Sequence, residues 1–257
     1  MTEKRITVLQ EMTREAGFCL MTYFRKPLKV EHKSHLDLVT EADLASELLI
    51  KNRLRDEFPE DAILAEESGS QMGSSCYRWV IDPLDGTTNF SHSLPHFAVS
   101  IALEKDGVLF SGAVYDPAKD EMFEATRGKG ARLNGKTISV SSCHDPEQAL
   151  SVSGFPYNRR EQLPLLLSRV ERALAHFQGF RRFGAASLDL AYIAAGRFDL
   201  FWETGLKPWD LAAGVLLIQE AGGIVTDLSG NKLSLDRGEI LTANQAIHQK
   251  ALLTLTN

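Results

Sequence analysis

Apolar positions change their period along the chain, and the changes outline its elements. Ile6, Leu9, Met12, Ala16, Leu20 and Tyr23 recur at steps of three and four, which predicts an amphipathic helix over residues 4–25. Residues 26–38 carry Pro27 and no clear period, and read as an exposed loop. Thr40 reads as an N-cap with Asp43 in the capping-box position, followed by a helix to about residue 58. Residues 62–65 form a brief strand that delivers Glu66, Glu67 and Ser68, and residues 69–76 are a Gly/Ser-rich loop. The next apolar run, residues 79–81, should stop near Asp82, because Pro83 has no N–H to give a ladder.

Residues 96–104, 108–115 and 121–126 are apolar or alternating runs, separated by Lys105-Asp106-Gly107 and by residues 116–120. Such punctuation predicts an antiparallel meander, with Asn134-Gly135 as a further tight turn before residues 137–140. The polar stretch 141–148, with Pro146, is a boundary, and alternation follows it. Strands are expected at 149–153, 179–183, 198–202, 224–227 and 239–243, and helices at 162–175, 185–195 and 209–221. The expectation is one α/β domain over 1–257, made of an N-terminal half at 1–142 and a C-terminal half at 148–257.

Composition narrows the class. Apolar residues at 44% and charged residues at 24% of 257 fit a globular chain with a sizeable core. Acids outnumber bases 34 to 28, a net charge near −6, so neither nucleic acid nor an anionic membrane is an expected partner. Cys19, Cys76 and Cys143 are odd in number and lack zinc spacing, which fits a reducing cytoplasm. No apolar run has the length of a signal core or a membrane span, and no export is expected.

The chemistry concentrates at Trp79-Val80-Ile81-Asp82-Pro83-Leu84-Asp85-Gly86-Thr87-Thr88-Asn89-Phe90. Two carboxylates three residues apart at a strand end suit a hard cation. Gly86 and the next amide, at a helix start, suit an anion. Asp-Pro and Asp-Gly are also common turn dipeptides. Asp210 stands at the first turn of an apolar helix, where an acid also caps, and Glu66-Glu67 are of a kind usually solvated. His92 and His96 have a helical metal spacing, but Pro95 lies between them. Ser68 and Ser187 have no context that would activate a nucleophile.

Taken together, Ala65-Glu66-Glu67-Ser68, the 79–90 stretch, and Trp209-Asp210-Leu211-Ala212-Ala213-Gly214 with Glu220-Ala221-Gly222-Gly223 resemble the signatures of the inositol monophosphatase family. The resemblance runs from Asp37-Leu38-Val39-Thr40-Glu41-Ala42-Asp43 to Ala243-Asn244. It implies a layered α-β-α-β-α sandwich of the sugar phosphatase type, a homodimer, and Mg²⁺-dependent, lithium-sensitive hydrolysis of a phosphomonoester. By the same resemblance, Glu66, Asp82 and the Leu84 carbonyl hold one magnesium; Asp82, Asp85 and Asp210 hold a second; a weaker third lies near Glu66. The Gly86 and Thr87 amides receive the phosphate, and Thr87 is linked to Asp43, so that Glu66, Thr87 and Asp43 serve attack by a metal-activated water. Paired metals answer the needs of a phosphate dianion, which repels a nucleophile until its charge is neutralised.

Glu203 and the backbone of Ala186 match positions that line the family's sugar or cyclitol pocket, although Glu203 also reads as a rim charge. Lys207 replaces a histidine of the animal enzymes, and residues 154–160 resemble the bacterial branch. Arg181 and Arg182 offer positive charge near the pocket, and Lys33 lies in a loop that approaches the metals in relatives. The leading substrate is inositol 1-phosphate, with fructose 1,6-bisphosphate, histidinol phosphate and 3′-phosphoadenosine 5′-phosphate as rivals. A regulatory binding protein that retains the phosphatase fold is the alternative of another class.

Overall fold

The N-terminal helical period folds as α1 (Thr2–Tyr23), followed by β1 (Val30–His32), β2 (Leu38–Thr40) and α2 (Glu41–Glu57). The computed structural model describes residues 2–27, 29–32 and 38–256; Lys33 lies outside them. Thr40 and Asp43 form the expected capping box. Thr40 Oγ1 accepts the Ala42 N–H at 3.2 Å, and Asp43 Oδ2 accepts the Thr40 N–H at 2.9 Å. Residues 26–38 are not loop throughout, since β1 and β2 pair antiparallel with Val30 opposite Thr40. Strands of three residues, with Val30 exposed, leave too little burial to impose an alternating pattern.

The large sheet contains β3 (Ala62–Ala65), β4 (Gly69–Gln71), β5 (Tyr77–Asp85), β6 (Ala98–Lys105), β7 (Val108–Asp116), β8 (Glu121–Thr126), β9 (Ala131–Leu133) and β10 (Lys136–Ile138). Its order is β10-β9-β8-β7-β6-β5-β3-β4, and only β3 and β5 run parallel. The turns Asp106-Gly107 and Asn134-Gly135 have positive φ at both residues, as two-residue hairpin loops of the tightest kind require. Two expectations are corrected here. The Gly/Ser-rich stretch opens with β4, an edge strand paired to β3. The strand carrying the acids does not stop at Asp82 but runs to Asp85, with a register shift against β6 between those two residues. Pro83 sits in that irregularity, where no ladder hydrogen bond is demanded of it.

After α3 (Thr87–Ser91) in the large-sheet half, the C-terminal part supplies β11 (Leu150–Ser153), α4 (Leu163–His176), β12 (Gly179–Arg181), α5 (Ala186–Ala194), β13 (Leu200–Glu203), α6 (Pro208–Glu220), β14 (Ile224–Thr226), β15 (Ile240–Ala243) and α7 (Gln245–Thr256). The small sheet has the order β12-β11-β13-β15-β14. β9 and α7 are elements that the sequence pattern did not reveal.

The layers alternate α-β-α-β-α. α1 and α2 cover one face of the large sheet, α5 and α6 fill the space between the sheets, and α4 and α7 cover the small sheet's outer face. Three cores follow: one around Leu9, Met12, Trp79 and Tyr115, a central one around Leu188, Leu190 and Leu216, and an outer one around Trp202, Leu241 and Ile247. Residues 211–218 are apolar on all sides because α6 meets protein on both faces. Trp79 is fully buried, and its Nε1–H reaches Asp61 at 3.0 Å. No described helix is long and apolar enough to cross a membrane, and the three cysteines are free.

Candidate metal and phosphate site

β3 and β5 run parallel, with Ala65 opposite Ile81, so the next residues, Glu66 just past β3 and Asp82 within β5, lie side by side at the same end of the pair. The Glu66 N–H donates to the Ile81 carbonyl at 3.1 Å. Asp82 Oδ1 accepts the Leu84 N–H at 3.0 Å, a local bond that carries the chain past Pro83. The N-termini of α5 and α6 arrive from the central layer. Asp210, in the first turn of α6, accepts the Lys207 N–H at 2.7 Å, and thus caps its helix as its position suggests.

Oxygens of Asp82, Asp85 and Asp210 all lie within 4.8 Å of one another. Glu66 stands outside that trio, yet its charge acts on both Asp82 and Asp210. Burial first, then repulsion from Glu66, Asp85 and Asp210, pushes Asp82 well above the ordinary carboxylate range. Burial, followed by Asp85 and Glu66, does the same to Asp210. Burial also raises Asp85, against hydrogen bonds from Ser187 that pull it down. Hard carboxylate oxygens so close together fit a divalent cation of the magnesium type.

Gly86 takes φ of 91° where β5 turns into α3, a conformation costly for any residue with a Cβ. A Cβ there would also lie 3.0 Å from the His96 carbonyl oxygen. Thr87 follows as the first helical residue, whose N–H has no partner inside the helix. Its hydroxyl is within 3.0 Å of Asp43 Oδ1 and 3.1 Å of the Leu84 carbonyl. The hydroxyl has one proton, and the carboxylate is the stronger acceptor. Given to Asp43, that proton leaves the Leu84 carbonyl oxygen available to a cation. Asp43 is fully buried and is raised by burial, while donors on Thr40 and Thr87 oppose the rise. The residue therefore caps α2 and holds Thr87 with one carboxylate.

Glu203 ends β13 and is 8% exposed, so it is not a rim charge. Burial and then Asp189 push it up to about 8, with Arg182 opposing. A Cβ at Gly154 would overlap Glu203 Oε2, so any larger residue there would move the carboxylate. Ala186 opens α5 beside Asp85. His92 is exposed at the end of α3, whereas His96 stacks on Phe183 with centroids 4.9 Å apart, so the two do not form a metal pair. Burial and Lys119 hold His96 down to about 4.

The sequence did not mark two residues as part of the site, Ser187 being weighed there only as a nucleophile. Ser187 donates its N–H and its Oγ–H to Asp85 Oδ2, at 2.7 and 2.6 Å. Asp189, 1% exposed, is pushed well up by burial and then by Asp85. A lone acid in the apolar stretch 185–195 was the available signal for Asp189; Ser187 had none.

The layered fold, with acids gathered where strand ends meet helix starts, defines the sugar-phosphatase type of sandwich. The chain belongs to the inositol monophosphatase family, whose profile matches residues 1–257. It is 49% identical over 232 residues to the Nus factor SuhB of Pseudomonas aeruginosa, covering 88% of this chain and 85% of that one. It is 42% identical over 251 residues to the inositol-1-monophosphatase of Mesorhizobium japonicum, covering 96% and 94%. A solved structure of the extragenic suppressor protein suhB from Bartonella henselae superposes with a TM-score of 0.94 at 39% identity, covering 100% of this chain and 99% of that one.

Proposed function

We propose that the chain is a Mg²⁺-dependent phosphomonoesterase that releases phosphate from a small polyol ester, with inositol 1-phosphate as the leading substrate. The observation that carries this reading is the trio Asp82, Asp85 and Asp210, with oxygens within 4.8 Å of one another. Glu66, Asp82 and the Leu84 carbonyl would hold one ion, and Asp82, Asp85 and Asp210 another; a third, weaker ion would lie near Glu66. Bound Mg²⁺ supplies Lewis acidity at the phosphoryl group and acidifies water.

The remaining work falls to the chain. The Gly86 and Thr87 amides receive the phosphate oxygens. Asp43 accepts the hydrogen bond of the Thr87 hydroxyl, so the Thr87 oxygen is left as an acceptor that orients the attacking water. Glu66 assists in removing the water's proton, and no covalent phosphoenzyme is needed. Glu203 and the Ala186 backbone recognise hydroxyls of the polyol. With a carboxyl pushed up to about 8 in the metal-free protein, Glu203 both donates and accepts near pH 7. The reading extends to a homodimer in the cytoplasm, with the chain as one domain of two halves, 1–142 and 148–257.

Phosphate release with Mg²⁺ from inositol 1-phosphate, fructose 1,6-bisphosphate, histidinol phosphate and 3′-phosphoadenosine 5′-phosphate tests it, with Asp85→Asn alongside. A preferred ester whose turnover vanishes in the variant supports the reading. Release from none of them overturns it. A second reading, a regulatory role, is favoured by the Nus factor name of the Pseudomonas aeruginosa relative. Partner binding that survives Asp85→Asn would place that role outside catalysis.

A further inference from the structure

We infer that Ser187 is a positioning residue for Asp85, setting the orientation of that carboxylate for the cation and thereby the affinity of the site. This rests on the Mg²⁺ reading above. Ser187 is fully buried in the first turn of α5. A serine in a helix commonly turns its hydroxyl back to the carbonyl four residues earlier. Here Ser187 is only the second residue of α5, so that carbonyl, Phe183's, lies ahead of the helix, where it accepts from Asn89 Nδ2 at 2.8 Å. The Ser187 hydroxyl instead reaches across 102 residues of sequence to Asp85 Oδ2 at 2.6 Å, beside its own N–H at 2.7 Å.

Two donors from one residue on a single carboxylate oxygen fix the plane of the group and draw charge toward that oxygen. Asn89 adds a brace from the other side. It lies two residues beyond Thr87, and its amide holds both the His96 and the Phe183 carbonyls at 2.8 Å. The start of α3 is thereby tied to the segment that starts α5. The end of β5, α3 and α5 are thus linked in one circuit, with the Ser187 hydroxyl as the link that closes on Asp85.

The test is a calorimetric titration of the full, metal-stripped chain with Mg²⁺ alone, run on the wild type, Ser187→Ala, Ser187→Thr and Asp85→Asn. Melting of each metal-free protein is recorded in parallel. Loss of an outer partner of a metal ligand costs about tenfold or more in affinity, and Ser187→Ala is expected near the low end because its N–H remains. Ser187→Thr, which keeps a hydroxyl, is expected to stay close to the wild type. A Ser187→Ala affinity equal to the wild type overturns the inference, as does an equal loss in the Ala and Thr variants, which would mark a packing effect. A wild type that binds no Mg²⁺ overturns the functional reading itself, an outcome distinct from the other two.

Discussion

Asp85→Asn should make the metal-free protein more stable while removing its response to magnesium. Oxygens of Asp82, Asp85 and Asp210 lie within 4.8 Å of one another. Two ionised groups at that separation repel by about 3 kcal/mol at an effective dielectric constant of about 20. All three acids are shifted upward, by burial first and, at Asp82 and Asp210, then by repulsion from neighbouring carboxylates, so the native protein escapes part of this cost by binding protons. The part relieved by the substitution is therefore smaller, about 1–2 kcal/mol. The carboxamide oxygen introduced by the substitution would still accept from Ser187, so that bond is not lost. At about 2–4 °C per kcal/mol for a chain of this size, the variant should melt about 2–8 °C higher in EDTA. Magnesium at a hundred times its dissociation constant stabilises the wild type by about 2.7 kcal/mol and the variant by much less. The two proteins should thus exchange rank between EDTA and Mg²⁺, which differential scanning calorimetry reads directly. A variant that melts below the wild type in EDTA, with an unchanged Mg²⁺ shift, would refute the reasoning.

Other expectations follow from single contacts. Glu203 has a native value of about 8 against an ordinary 4.5, so the folded state holds its proton longer than the unfolded state. Its contribution to metal-free stability falls as pH rises from 4.5 to about 8 and is level above. The melting-temperature gap between Glu203→Gln and the wild type in EDTA should widen over that window and then stay constant. Thr87→Ala should lower kcat by about a hundredfold or more and, by taking a donor from buried Asp43, cost about 1–3 kcal/mol of stability, as steady-state phosphate release and melting will show. Asp61→Ala would remove the buried carboxylate that accepts the Arg5 Nε–H and Nη2–H, both at 2.8 Å, and the Trp79 Nε1–H at 3.0 Å. Chemical denaturation should register a loss of about 3–5 kcal/mol, with kcat unaltered in the surviving folded protein.

Local chemistry made the backbone of the site readable from the sequence. Thr40 and Asp43 signalled α2, the Asp-Gly and Asn-Gly pairs signalled their hairpins, and the residues around Asp82 and Asp85 signalled a strand end. Each of these depends on neighbours a few residues away. The bulge that carries β5 past Pro83 was not readable, because it depends on pairing with β6. Nor was the hairpin of β1 and β2, whose three-residue strands bury too little to show a period. The Ser187 contact is set by the meeting of β5 with α5, far apart in sequence, and no motif near Ser187 encodes it. Glu203 lay between: its match to a family position suggested a pocket, but only its burial at the end of β13 removes the surface alternative.

The magnitudes also decide what the acids are for. A helix N-terminus favours a nearby carboxylate by about 0.3–1 kcal/mol, and up to about 2 kcal/mol when partly buried. Asp210 at the start of α6 and Asp85 facing the start of α5 both receive such support. Each also accepts backbone or hydroxyl donors, yet both remain shifted upward. Dipoles and hydrogen bonds therefore fall short of burial, joined at Asp210 by repulsion from Asp85 and Glu66, about 3 kcal/mol for each ionised pair. A capping function alone would need one acid per helix and would not bring Asp82 and Glu66 to the same end through parallel strands. What completes the balance is positive charge delivered at one point, and a divalent cation shared with a phosphate is the agent that these oxygens suit. A regulatory protein that never bound such a cation would be more stable with neutral residues at these positions. The same inequality makes the Asp85→Asn melt in EDTA informative before any substrate is chosen.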